Sequence, residues 1–148
     1  MSPNTFAAAL LASLCWQAAG AVTLITEAEA RLPNVPGLGT LATRAITRAP
    51  AIAVISPDPA DPRVRSPFSL RVSFKAHGGA RVDLTHVRLT YLKTPSVDLV
   101  ERIKEGLSEQ GIQLAVVEAP MGEHNIRLVI RDSEGREAGQ IIRFTVVE

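Results

Sequence analysis

The chain has a single cysteine, Cys15. It lies in an apolar stretch near the N-terminus, ahead of any β-patterned sequence. If that stretch is removed as a leader, no thiol remains. Disulfides, Cys nucleophiles and thiolate metal sites are then excluded together. Aromatic residues are scarce, at 4%, which argues against a broad stacking surface for bases or sugars. Neither sign of charge is in excess: the formal net charge is +1, and nothing suggests a nucleic-acid or acidic-membrane partner. Catalytic signatures are missing as well. There is no G-x-S-x-G elbow, no H-E-x-x-H and no Gly-rich phosphate loop. "HGGA" (His77 to Ala80) has the look of an esterase oxyanion loop, but without a nucleophile elbow it is a glycine turn.

No long hydrophobic run is present either. "FAAALLASLCW", Phe6 to Trp16, is too short to cross a bilayer as a helix. Its length suits the h-region of a secretory leader, and the small residues of "QAAGAV" that follow suit a signal-peptidase site. Ala19-x-Ala21 predicts a mature start at Val22, with Ala18-x-Gly20 as the alternative. The n-region "MSPNT" has no Lys or Arg, and no charged side chain precedes Glu27. Leu14 stands where a lipobox needs a small residue, so lipidation at Cys15 is disfavoured. The expected organisation is a signal peptide over 1–21, a flexible N-terminal arm over 22–50 and a globular domain over 51–148, in a periplasmic or secreted protein. A 148-residue chain has room for one such domain.

The arm is expected to be extended because Pro33 and Pro36 interrupt it and small residues dominate it. "TEAEARL" within it has Thr26 and Glu29 at capping-box spacing, enough for one or two helical turns. From Ala51 the pattern becomes β. "AIAVIS" is a strand, and the three prolines of "PDPADP" force a loop after it. In "FSLRVSFK", Phe68, Leu70, Val72 and Phe74 point one way and Ser69, Arg71, Ser73 and Lys75 the other, the signature of a half-buried antiparallel strand. "HVRLTYL" puts Val87, Leu89 and Tyr91 inward and His86, Arg88 and Thr90 outward. "PSVDLVERIKEGL" breaks the rhythm: Leu99, Val100, Ile103 and Leu107 fall on one helical face, with Ser96 as the expected N-cap. β-character returns in "IQLAVVE", in "HNIRLVIR" with Ile126, Leu128 and Ile130 inward, and in "QIIRFTVV" with Ile142, Phe144 and Val146 inward. Asp132 and Gly135 shape the "DSEG" turn between the last two. The prediction is an all-β, immunoglobulin-like antiparallel β-sandwich with one short inserted helix.

Residues Pro120 to His124 read P-x-G-x-H, then come three alternating apolar positions, Asp132-x-x-Gly135-Arg136 and a final "FTV". This resembles the last two strands of bacterial immunoglobulin-like modules. "ISPDPADPRVRSPFSLRVSF" resembles their first strands, including those of CopC-like periplasmic copper carriers. The likeness runs from Ile52 to Val147 and implies the sandwich fold. CopC-like chains begin the mature protein with His and carry Asp-Gly-His before the last strand. Here the start is Val22 or Ala21 and the late stretch is "DSEGREAGQ", so the resemblance implies the fold without the copper ligands.

Met121 and His124 offer a thioether and an imidazole, both of which copper accepts. His77, His86 and His124 are a three-imidazole set of a kind zinc accepts. Against this, two ligands make a weak site, and His124 is equally suited to hydrogen-bond across the sandwich corner. Asp58, Asp61, Asp132 and Glu134 are loop carboxylates of a type calcium accepts, but turn capping explains them without a metal. Arg71, Arg88, Arg127 and Arg143 fall on outward positions, and those that share a sheet would form a basic stripe for an acidic partner. The expected role is non-catalytic: a binding or accessory module that meets another envelope protein through a sheet face or an edge strand. The alternative is a copper or zinc carrier using His77, His86, Met121 or His124.

Overall fold

A computed structural model describes residues 20–37 and 48–148. The protein is an all-β, immunoglobulin-like sandwich of two sheets. The first sheet has the order β1-β8-β4-β2: β1 (Val22–Thr23), β8 (Gly111–Glu118), β4 (Phe68–Lys75) and β2 (Ala51–Ser56), with β7 (Leu107–Ser108) pairing β8. The second has the order β3-β10-β9-β5-β6: β3 (Arg63–Arg65), β10 (Glu137–Val147), β9 (Gly122–Arg131), β5 (Arg88–Tyr91) and β6 (Val97–Asp98).

The alternation in β4 is realised, with Phe68, Leu70, Val72 and Phe74 buried. They meet Leu89 and Tyr91 of β5, Ile126, Leu128 and Ile130 of β9, and Ile142, Phe144 and Val146 of β10 in one core. The Phe68 and Phe144 rings lie 5.2 Å apart between the sheets. Each side chain of this size contributes about 1.5–3 kcal/mol on leaving water, so the period-two pattern fixes which face of each strand turns inward. Pro57, Pro59 and Pro62 carry the chain from β2, on the first sheet, to β3, on the second. There β3 pairs parallel with β10, Thr145 opposite Arg63 and Val147 opposite Arg65. At Gly111 (φ 146°) a Cβ would run into the Val72 carbonyl oxygen, so only glycine lets β8 and β4 approach there.

The segment expected as a loose arm is, over residues 22–37, part of the sandwich. Val22 and Thr23 pair parallel with Val117 and Glu118, and Leu24 and Ile25 are fully buried in the common core. Helix α1 (Glu27–Ala30) follows with the expected capping box: Glu29 N donates to Thr26 Oγ1, and Thr26 N donates to a Glu29 carboxylate oxygen. Arg102 then grips Glu29 through both carboxylate oxygens. Lys93, itself buried, donates to Ala30 O and Asn34 Oδ1. Two prolines and small residues suggested a loose chain, but two buried apolar side chains and these polar clasps outweigh the entropy of ordering it. The rest of the expected arm, 38–47, and the leader up to residue 19 lie outside the described residues.

The inserted helix is shorter than its apolar stripe predicts. Helix α2 is Val100–Ile103 and continues as a 3₁₀ turn over Lys104–Gly106. Ser96 does not cap it: β6 comes first, and the Asp98 carboxylate accepts from Val100 N. The stripe nonetheless serves its purpose, since Leu99 and Ile103 are fully buried in the core. Among the described residues no helix is long and apolar enough to cross a membrane.

Candidate functional site

His124 lies on β9 in the same parity as Ile126, Leu128 and Ile130, so it points inward and is 1% exposed. Its Nδ1 hydrogen-bonds the Tyr91 hydroxyl at 2.9 Å, and Nε2 reaches the Pro120 carbonyl oxygen at 2.7 Å. Because the carbonyl can only accept, Nε2 carries the proton and Nδ1 accepts from the tyrosine. The ring also packs at 5.2 Å from Phe144. Burial, first of all, holds its pKa below the ordinary value of 6.5, against the opposing pull of the Pro120 carbonyl. The same burial raises the Tyr91 hydroxyl to about 12. Both imidazole nitrogens are therefore committed to the corner between β5 and β9.

The other candidate ligands lie elsewhere. Met121 is 64% exposed at the start of the hairpin. His77 is half-buried in the turn after β4, its carbonyl accepting from Ala80 N. His86 is not a strand residue as its outward parity suggested. It closes a 3₁₀ turn, Leu84–His86, capped by the Asp83 carboxylate. Among the described residues, no three His, Cys, Asp or Glu side chains gather as a metal-binding group.

Asp83, Thr85 and His86 place a carboxylate, a hydroxyl and an imidazole together, but not in catalytic order. The Thr85 hydroxyl donates to Asp83 Oδ1 at 2.6 Å, and the same carboxylate holds His86 Nδ1 at 2.6 Å. A nucleophile would have to give its proton to the imidazole; here the hydroxyl donates to the acid, and the His86 Nδ1 3.0 Å from it is the nitrogen the acid already holds. These bonds, from Thr85 first and then His86, keep the Asp83 pKa below its ordinary value.

The loop carboxylates act on their own turns. Asp132, buried, accepts from Glu134 N, Arg136 N and Arg136 Nε. Burial opposes its ionisation, but these donors more than compensate, and its pKa is lowered. Asp58 accepts from Ala60 N, and Asp61 pairs with Arg63.

Of the four outward arginines, three share a sheet. Arg88 on β5, Arg127 on β9 and Arg143 on β10 belong to the second sheet, whereas Arg71 on β4 belongs to the first. Arg88 and Arg127 line one depression of about 270 Å³ with His86, Thr90, Val129 and Glu137. Sequence parity places these side chains outside, but that they share one hollow is a matter of strand register.

A second depression, of about 250 Å³, opens between β2 and β10 and is lined by Val54, Pro57, Pro59, Pro62, Gln140, Ile141, Ile142 and Arg143. Beside it, β2 is the outermost strand of its sheet among the described residues. Ile55 projects from this strand and is 58% exposed. Sequence reading identified β2 as a strand but not as an edge, because its position in the sheet depends on long-range pairing.

Compared with known proteins, the chain matches no family model, no curated protein and no solved structure.

Proposed function

We propose that this chain is an exported, non-catalytic binding module of the cell envelope that takes a segment of another envelope protein against β2. The observation that carries this reading is the character of that edge. Ala51–Ser56 has no charged residue and no proline, two of the devices that blunt an edge strand. Its one irregularity is a register shift between Val54 and Ser56. Ser56 is held from the inner side by Ser69, whose carbonyl oxygen accepts from its hydroxyl at 2.8 Å. A partner strand added here would gain main-chain hydrogen bonds along the edge and apolar contact with Ile55. The proline-lined hollow beside Val54 has room for one apolar side chain.

Export rests on the apolar leader and its small-residue cleavage site. Because β1 begins at Val22, cleavage after Ala21 leaves every described strand intact. The distant similarity to CopC-like modules fits this placement and supplies no metal ligands.

The test is mild crosslinking in the native envelope followed by pull-down of the tagged protein, wild type beside Ile55→Lys. Ile55 is exposed, so the lysine leaves the fold in place while adding the missing edge charge. A reproducible partner lost in Ile55→Lys is the expected result. No enrichment over an unrelated exported sandwich, or equal capture by the variant, overturns the proposal.

A further inference from the structure

The outer face of the second sheet carries a different feature, independent of the β2 edge. Arg88 stands opposite Val129, and Thr90 opposite Arg127, across the β5–β9 ladder. The two arginines are thus diagonal neighbours on one face, with backbones about 7–8 Å apart across the ladder. Among the described residues, neither guanidinium has an ion pair or hydrogen bond, as is also the case for Arg65, Arg71, Arg81 and Arg131, but only Arg88 and Arg127 share this hollow. Two guanidinium groups this close on one face can be bridged by a single anion.

The setting is a hollow rather than a flat face. Its floor holds Thr90 and Val129, and the Thr90 hydroxyl can donate. His86 forms part of the wall. Its Nδ1 is held by Asp83, which fixes the ring and leaves Nε2 as the nitrogen able to bond a ligand. Glu137 completes the lining and has no ion pair among the described residues. About 270 Å³ falls short of a drug-sized pocket and suits a single side chain.

We infer that this hollow is a binding site for a carboxylate side chain of an acidic polypeptide, gripped between Arg88 and Arg127. A planar carboxylate presents two oxygens, which two guanidinium forks can each engage. Glu137 selects against a more highly charged oxyanion, because a phosphate would bring a second negative charge beside it. A polypeptide supplies backbone N–H groups next to its acid, which Glu137 can accept.

The experiment uses the full exported chain and a fluorescein-labelled hexaglutamate peptide, followed by anisotropy at low ionic strength. Arg88→Ala and Arg127→Ala should each weaken binding about tenfold or more, the scale of one charge-assisted contact. Arg71→Ala, on the other sheet, should leave it unchanged, and Glu137→Gln should tighten it. Arg88→Lys and Arg127→Lys keep the charge without the fork and should bind at an intermediate level. They also serve as folded controls if either alanine variant unfolds. Ile55→Lys should bind hexaglutamate like wild type, so failure at the β2 edge leaves this result standing. Equal loss in Arg71→Ala and Arg88→Ala would reduce the effect to net charge and overturn the site. Glutarate binding as tightly as the peptide would overturn the polypeptide assignment, and tripolyphosphate binding more tightly would overturn the preference for carboxylate.

Discussion

Glu29 and Arg102 form a two-pronged ion pair, Nη1 to Oε2 at 2.8 Å and Nη2 to Oε1 at 2.6 Å, that joins α1 to α2. Arg102 Nη1 also donates to the Leu24 carbonyl oxygen at 2.7 Å. One side chain therefore holds both the helix and the strand end of the N-terminal segment. The Arg102 bonds, chiefly, bring the Glu29 pKa from 4.5 down to about 2 despite desolvation. A carboxylate depressed in the folded state stabilises above its unfolded pKa and loses that contribution as pH falls through the folded value. The window is therefore pH 4.5 down to about 2. Glu29→Gln should cost about 1–3 kcal/mol at pH 7 and flatten the stability curve across that window. Urea unfolding at pH 7 and pH 3 reads both effects, and a variant as acid-sensitive as wild type would remove Glu29 from the account.

Leu24 has no accessible surface and contacts a core shared by both sheets. Leu24→Ala should destabilise the protein by about 2–5 kcal/mol, the range for emptying a buried leucine site. Thermal melting or chemical denaturation measures it. A change below about 0.5 kcal/mol, typical of surface substitutions, would mean that the segment is a dispensable arm.

His124 titrates in a separate range. Its folded pKa lies below 6.5 because burial disfavours the imidazolium. The unfolded chain takes up the proton first, so stability is full above pH 6.5 and declines as pH falls from there toward the folded pKa, where the loss levels off. Glutamine at 124 can keep a donor and an acceptor without titrating. His124→Gln should therefore be flatter than wild type as pH falls below 6.5, whatever its absolute stability. NMR titration of the His124 ring gives the same answer directly, and a midpoint at or above 6.5 would contradict it.

Zinc and copper titrations bear on the carrier alternative. The lone pair of buried His124 Nδ1 is taken up by the Tyr91 hydroxyl while Nε2–H bonds the Pro120 carbonyl, so metal binding there would have to displace Tyr91. Neither ion should raise the melting temperature or shift the three imidazole resonances together. A rise abolished by substituting His77, His86 or His124 would restore the carrier reading.

Most of the sandwich was legible because β4, β9 and β10 are long enough to show a period of two, and the inward position of His124 follows from that same parity. β1 was not legible. Two residues define no period, and Pro33 and Pro36 nearby argue for a loop; only the partner strand β8 makes Val22 and Thr23 a strand. β3 was missed for the same reason, being three residues between prolines. Ser96 suits a cap on local chemistry, yet the pairing of β6 with β5 takes the chain past it; the N-cap position falls to Leu99, and the Asp98 carboxylate before it accepts from Val100 N. At the candidate sites, the outward direction of Arg71, Arg88, Arg127 and Arg143 could be read from alternation. Which of them share a sheet could not, since that depends on strand order.

The crossing of the chain from β2 to β3 has a mechanical consequence. β3 runs parallel to β10, with Arg63 beside Thr145 and Arg65 beside Val147. Tension between the chain entering β3 and the chain leaving β10 pulls these two strands lengthwise past each other. Their hydrogen bonds, and the bond from Thr145 N to the Pro62 carbonyl oxygen, are then loaded together in shear instead of opening one at a time like a zipper. A three-residue strand thus acts as a latch against stretching between these two points of the chain.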